Sequence, residues 1–153
     1  MVINFFSENI SFSFPEGMDT QKKNSDAEKK ILSVIRKEKK KAGDINFIFC
    51  NDKLLLSLNK KFLKHDTLTD ILTFQYGSPV GRDLKSRPTE VSGDIFISIP
   101  RVKENAKKYK ATFENELLRV MIHGVLHLCG YKDKTKDEKK EMRTRENYYL
   151  IKF

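Results

Sequence analysis

The 153-residue sequence is short of cysteine, of histidine, of acid relative to base, and of long apolar runs. Each shortage excludes something. Cys50 and Cys129 are the only cysteines, too few for a disulfide-stapled scaffold. In a chain without a leader-like segment, two thiols read as reduced and cytoplasmic. The opening Met1-Val2-Ile3-Asn4-Phe5-Phe6 has neither a basic n-region nor an apolar h-region. No apolar run approaches the ~20 residues that cross a bilayer, so no membrane partner is expected. Asp and Glu number 21 against 30 Lys and Arg, a formal net charge of +9. A polyanion-binding protein shows that balance, nucleic acid first, and so does a merely Lys-rich surface; composition leaves both open. The length predicts one domain over residues 1–153, and no internal repeat is visible.

What is present reads as alternating and periodic apolar patterns. Residues 2–14 predict strand, broken by a turn at Ser7-Glu8-Asn9, with Ile10, Phe12 and Phe14 alternating with serines. A helix over 26–41 follows, with Ile31, Leu32, Val34 and Ile35 as its stripe and Gly43 ending it. Its basic run, Arg36 to Lys41, suits a helix C-terminus better than an RNA patch. Ile45, Phe47 and Phe49 predict a strand over 44–50, where Cys50 reads as a small core residue. A helix from Asn51-Asp52 to about Phe62 would bury Leu54, Leu55, Leu58 and Phe62. After the polar connector 63–70 come a strand at 71–74, a Gly-, Pro- and Arg-rich loop over 77–90, and a strand at 91–99. Pro100 then opens a helix over about 101–110. The next helix, 112 or 113 to 128, is apolar nearly all round and so belongs in the middle of the fold. An amphipathic helix over 136–153 closes the chain, with Met142, Tyr149 and Leu150 among its apolar positions. The expected fold is α+β: a small mixed sheet of about four strands packed with about five helices.

Two of the three histidines, His123 and His127, lie four residues apart on that central helix. Residues at i and i+4 share a face, with Cβ atoms ~5–6 Å apart, so two imidazoles can reach one metal ion. Gly130 suits a C-terminal cap and a sharp turn, which would return Asp133 toward the pair. Two imidazoles and a carboxylate are a workable zinc set with one position left open. The competing reading is a pair of core histidines bonded to polar neighbours, with Asp133 as a turn-former. In zinc proteases the H-E-x-x-H motif supplies a general base directly after the first histidine; here that position is Gly124.

The run His123-Gly124-x-Leu126-His127-Leu128-x-Gly130-Tyr131 resembles the signature of the YbeY family of metal-dependent endoribonucleases. Two further blocks carry the same resemblance: Leu58-Asn59-Lys60-Lys61-Phe62 through Asp66-Thr67-Leu68-Thr69-Asp70-Ile71-Leu72-Thr73-Phe74, and Gly93-Asp94-Ile95-Phe96-Ile97-Ser98. Together they cover about residues 43–150. The chain departs from the family at two places. Asp133 stands where the family has its third histidine, which lowers the charge of the site by one unit and would acidify a bound water less. Leu63 stands where the family has an arginine, so any phosphate contact made by that arginine moves elsewhere, with Lys64 and His65 adjacent, or is absent.

The resemblance implies one Zn²⁺ per chain on His123, His127 and Asp133, with the two histidines catalytic through the metal-bound water and His65 a further catalytic candidate. It implies a single-strand endoribonuclease that matures ribosomal RNA, notably the 3′ end of the small-subunit RNA, and serves ribosome quality control, with RNA, the ribosome and its assembly proteins as partners and no DNA. Lys60, Lys64 and Arg101 are the RNA-binding candidates, with Lys61, Arg82 and Arg87 also flanking the matched blocks. Two other readings stand beside it: a ribosome-assembly factor with a structural metal, and a metallohydrolase of another substrate.

Overall fold

The alternation of Ile45, Phe47 and Phe49 does what it predicts. In a computed structural model, which describes residues 2–12, 25–63, 69–76 and 90–153, all three are buried on one face of strand β2 (Lys41–Cys50). β2 lies second in a four-stranded sheet of order β1-β2-β4-β3, with β1 (Val2–Ser7), β3 (Ile71–Gln75) and β4 (Glu90–Ser98). β1 and β4 run parallel to β2, and β3 is antiparallel to β4, so the sheet is mixed, as expected. The described helices are α1 (Asp26–Lys37), α2 (Asp52–Leu58), α3 (Ile99–Lys108), α4 (Phe113–Leu128) and α5 (Lys136–Lys152).

The two sheet faces bury different helices. Cys50, Leu55 and Leu72 cluster on one face with Phe74 and Phe96, under α2. Ile45, Phe47, Phe49, Val91, Ile95 and Ile97 point to the other, into the main core with α1, α3, α4 and α5. α4 touches α1, α3, α5, β3 and β4, and ten of its residues are buried. It is the central helix that its apolar sequence requires.

Several boundaries differ from the sequence expectation, each for a local reason. The first strand ends at Ser7, because Asn9 takes a positive φ of 57°, a conformation asparagine tolerates. Ile10 and Phe12 then pack on the core without joining the sheet; Phe14 lies outside the described residues. α1 ends at Lys37 instead of 41: Lys39 turns left-handed at φ 59° and Lys41 already belongs to β2, so only Arg36 and Lys37 occupy the last helical turn. Gly43 does not end a helix. It sits within β2 at a register shift against β4, where a Cβ would lie 2.0 Å from Ser92 Oγ. Phe62 is exposed, not buried. After Leu58 the chain passes into a π-helical turn, Asn59–Leu63, and the change of pitch turns Asn59 inward and Phe62 out, edge-on to Phe74.

Candidate metal centre

Both ends of α4 are locked by local chemistry. Thr112 caps it, its hydroxyl accepting from the Asn115 N–H at 3.1 Å, with Glu114 and Glu116 in the first turn where the helix dipole favours acid. At the other end Gly130 adopts φ 108°. Its N–H donates to the His127 carbonyl, and the Tyr131 N–H donates to the Leu126 carbonyl, each at 3.0 Å. That pair of bonds is a Schellman turn. It reverses the chain so that Asp133 returns beside the histidines it follows in sequence.

The turn also sets a tautomer. His127 Nδ1 lies 3.0 Å from the Tyr131 carbonyl oxygen, which can only accept, so the proton is on Nδ1 and Nε2 keeps its lone pair. His123 Nδ1 lies 3.0 Å from Glu146 Oε2 on α5, with the same result. Three acceptor atoms therefore converge. His123 Nε2 and His127 Nε2 are 3.0 Å apart, and each is 3.2 Å from Asp133 Oδ2. Tetrahedral coordination at zinc bond lengths of 2.0–2.2 Å would space such atoms by roughly 3.3–3.5 Å, so the donor set fits a metal ion. Without a cation or a shared proton, three lone pairs this close would repel. In the absence of metal the proton falls on His123: burial alone would lower its pKa, but the hydrogen bonds it donates to Asp133 and Glu146, with their charges, raise it to about 9. Burial, then repulsion from His123, lowers His127. The His123 hydrogen bond holds Asp133 down at about 2.

Glu146 is itself buried and anchored. Arg119 Nη1 lies 3.3 Å from its Oε1 and Arg119 Nε 3.9 Å from Glu116 Oε2. Such support fixes a ligating imidazole and raises its basicity. On the far side of the turn, the Tyr131 and Tyr149 hydroxyls both donate to Glu38 at the end of α1. Gly124 faces the sheet; a Cβ there would lie 2.8 Å from Ile95 Cγ2 and 3.0 Å from Ile71 Cδ1. The position that zinc proteases fill with glutamate is thus a point of close helix–sheet approach.

Beside the triangle opens a cleft of about 310 Å³, lined by His123, Asp133, Glu146 and Arg119, with Asp70 at the start of β3. Burial raises the Asp70 carboxyl above its ordinary range. The structure brings together His123, His127 and Asp133, the one group of such ligands that converges among the described residues. It does not bring Lys60 or Arg101 to the cleft lining. Lys60 is exposed in the π turn; the Arg101 guanidinium pairs with Asp52 at 3.2 Å and with Glu104. His65, Lys64, Arg82 and Arg87 lie outside the described residues. Sequence reasoning missed Glu146, Arg119 and Asp70. A signal for Glu146 existed: Met142, Glu146 and Tyr149 fall on one helical stripe, and an acid on a buried stripe needs a partner.

The family model for endoribonuclease YbeY matches residues 13–153. An endoribonuclease YbeY from Flavobacterium psychrophilum is 51% identical over 120 residues, covering 78% of this chain and 79% of the relative. Those of Amoebophilus asiaticus and Christiangramia forsetii are 44% and 42% identical, spanning 97% and 99% of this chain and 91% and 94% of their own lengths. The solution structure of a Thermotoga maritima protein, TM1509, superposes with a TM-score of 0.59 at 28% identity, over 97% of this chain and 87% of that one.

Proposed function

The chain belongs to the endoribonuclease YbeY family, and from that premise we propose that it is a zinc-dependent endoribonuclease specific for single-stranded RNA. Its task on this reading is the maturation of ribosomal RNA, notably the 3′ end of the small-subunit RNA, and ribosome quality control. It works in the cytoplasm, on the ribosome and with its assembly proteins, as one domain over residues 1–153. The observation that carries the reading is the convergence of His123 Nε2, His127 Nε2 and Asp133 Oδ2 at the edge of an open cleft.

One zinc ion would be held by those three atoms; two nitrogens and a carboxylate oxygen suit it. When bound, it supplies Lewis acidity toward a phosphoryl oxygen. The chain's own residues do the rest. Glu146 and the Tyr131 carbonyl hold the imidazoles in the ligating tautomer. Arg119, paired with Glu146, keeps that carboxylate compensated. Gly124 leaves no side chain to act as a protease-type base. His65 as a catalytic group and Lys60, Lys64 and Arg101 as RNA contacts belong to the same proposal, though Arg101 would have to give up its pairing with Asp52 and Glu104 to serve.

The test is cleavage of single-stranded ribosomal RNA by the purified protein, with metal content measured alongside. Cleavage that chelation abolishes and zinc restores is expected. Cleavage indifferent to chelator, or none at full metal occupancy, would overturn the reading.

A further inference from the structure

The walls of the cleft carry side chains that the metal centre does not use. On α3, Ile99, Val102 and Ala106 form a buried stripe. Tyr109 continues it at the same spacing, yet it is 56% exposed and lines the cleft, with the Lys108 ammonium 5.5 Å from its ring centroid. Its backbone N–H caps the helix by donating to the Asn105 carbonyl at 2.9 Å, and Asn105, one turn earlier, lines the cleft with it. On α5 the lining cations are Lys139 and Arg143, at i and i+4 and so on one helix face. The Arg143 side chain is 54% exposed, 3.8 Å from Glu146, a carboxylate already engaged by His123 and Arg119. The cleft thus has an aromatic and amide wall, a wall that sets Lys139 and Arg143 beside Glu146, and two of the candidate metal ligands, His123 and Asp133.

We propose that Tyr109 is the stacking platform for an unpaired RNA base and that Lys139 and Arg143 hold the neighbouring phosphates, so that the cleft walls select single strands. The inference rests on the endoribonuclease reading and names the residues that choose its substrate. An exposed aromatic face accepts any base, because every base has a π-face, but it accepts only one that is splayed out of a helix. Bases in a duplex already spend both faces on their neighbours. A cleft of about 310 Å³ is at the small end of ligand-sized sites, room for roughly one nucleotide and not for a duplex. Lys139 and Arg143, one helical turn apart, match the separation of successive phosphates along an extended strand. Asn105 is placed to meet the edge of the stacked base.

The experiment uses the zinc-loaded protein and a labelled 2′-O-methyl RNA, single-stranded or closed into a hairpin duplex, with affinity read by fluorescence anisotropy. Tyr109→Ala and Tyr109→Leu should each weaken single-strand binding about ten-fold, as loss of one stacked base does, and leave duplex binding unchanged. Tyr109→Phe and Tyr109→Trp should retain parent affinity. Lys139→Gln and Arg143→Gln should each flatten the salt dependence of single-strand binding by about 0.7 in log–log slope, with metal content and Tm as in the parent. Parent-like single-strand affinity in Tyr109→Ala, or an equal loss on strand and duplex, overturns the inference alone. A parent protein that binds no single strand overturns the endoribonuclease reading with it.

Discussion

His127 leans on a main-chain oxygen that no substitution removes, whereas His123 leans on the carboxylate of Glu146. The two candidate ligands are therefore unequally vulnerable. Glu146→Gln keeps the shape of the side chain and removes its charge; metal affinity should fall roughly 10–100-fold, measured by competition against a chromophoric chelator. Unchanged affinity would reduce Glu146 to a packing residue. The same partners set the pH response of the metal-free protein. His123 rises from its ordinary 6.5 to about 9, so its stabilisation is full below 6.5 and is lost as pH rises through about 9. Asp133 falls from 3.8 to about 2, so its contribution is present above 3.8 and is lost as pH falls through about 2. A Tm profile of the metal-free protein that declines on the alkaline side through pH 9 is expected. At pH 7 the incoming metal must displace the His123 proton, so calorimetric binding heats should vary with the ionisation enthalpy of the buffer, and buffer-independent heats would contradict this. His123, His127 and Asp133 were legible because helical spacing and one turn join them within eleven residues of sequence. Arg119 and Asp70 were not, because the early turns of α4 and the residue before β3 reach the site only through the fold; for Glu146 the stripe on α5 announces a buried acid but not the histidine it meets.

At the scale of elements, α4 is legible from its composition alone, since a helix apolar nearly all round has nowhere to lie but the interior. The sheet partners follow from alternation in 44–50 and 91–99. The failures cluster where two or three residues decide a boundary: Asn9, Lys39 and the π turn at Asn59–Leu63. No periodicity announces a left-handed residue or a change of helical pitch. Gly124 makes a sharper test of the packing. Alanine in a helix interior is worth about 1 kcal/mol over glycine, but here its methyl would press on the buried Ile95 side chain at 2.8 Å, and overpacking costs about 1–3 kcal/mol. Gly124→Ala should thus lose stability slightly and Gly124→Val by about 2 kcal/mol or more, read from denaturant midpoints. A stabilised Gly124→Ala would show that the helix–sheet gap is looser than described.

For the whole molecule, the open question in the composition was whether +9 serves a polyanion or only solubility. Lys139 and Arg143, as the proposed phosphate contacts of the cleft, belong to the first answer, and salt decides it. With two phosphate contacts from Lys139 and Arg143, the logarithm of the RNA association constant should fall against the logarithm of salt with a slope of roughly −1.4 or steeper, at about 0.7 per contact on a single strand. Chelation should abolish cleavage and leave that slope in place. An affinity indifferent to salt would assign the excess charge to the general surface.

The close seat of α4 on Ile95 and Ile71 at Gly124 also bears on what this fold can become. One codon separates its histidine pair from the glutamate-bearing helix of a zinc protease. The sheet beneath closes that route, because a glutamate there would have to lift the helix that carries both ligands. On this packing the Asp133 position, in the turn beyond the helix, is open to substitution far more readily than the position beside His123 is open to a new base.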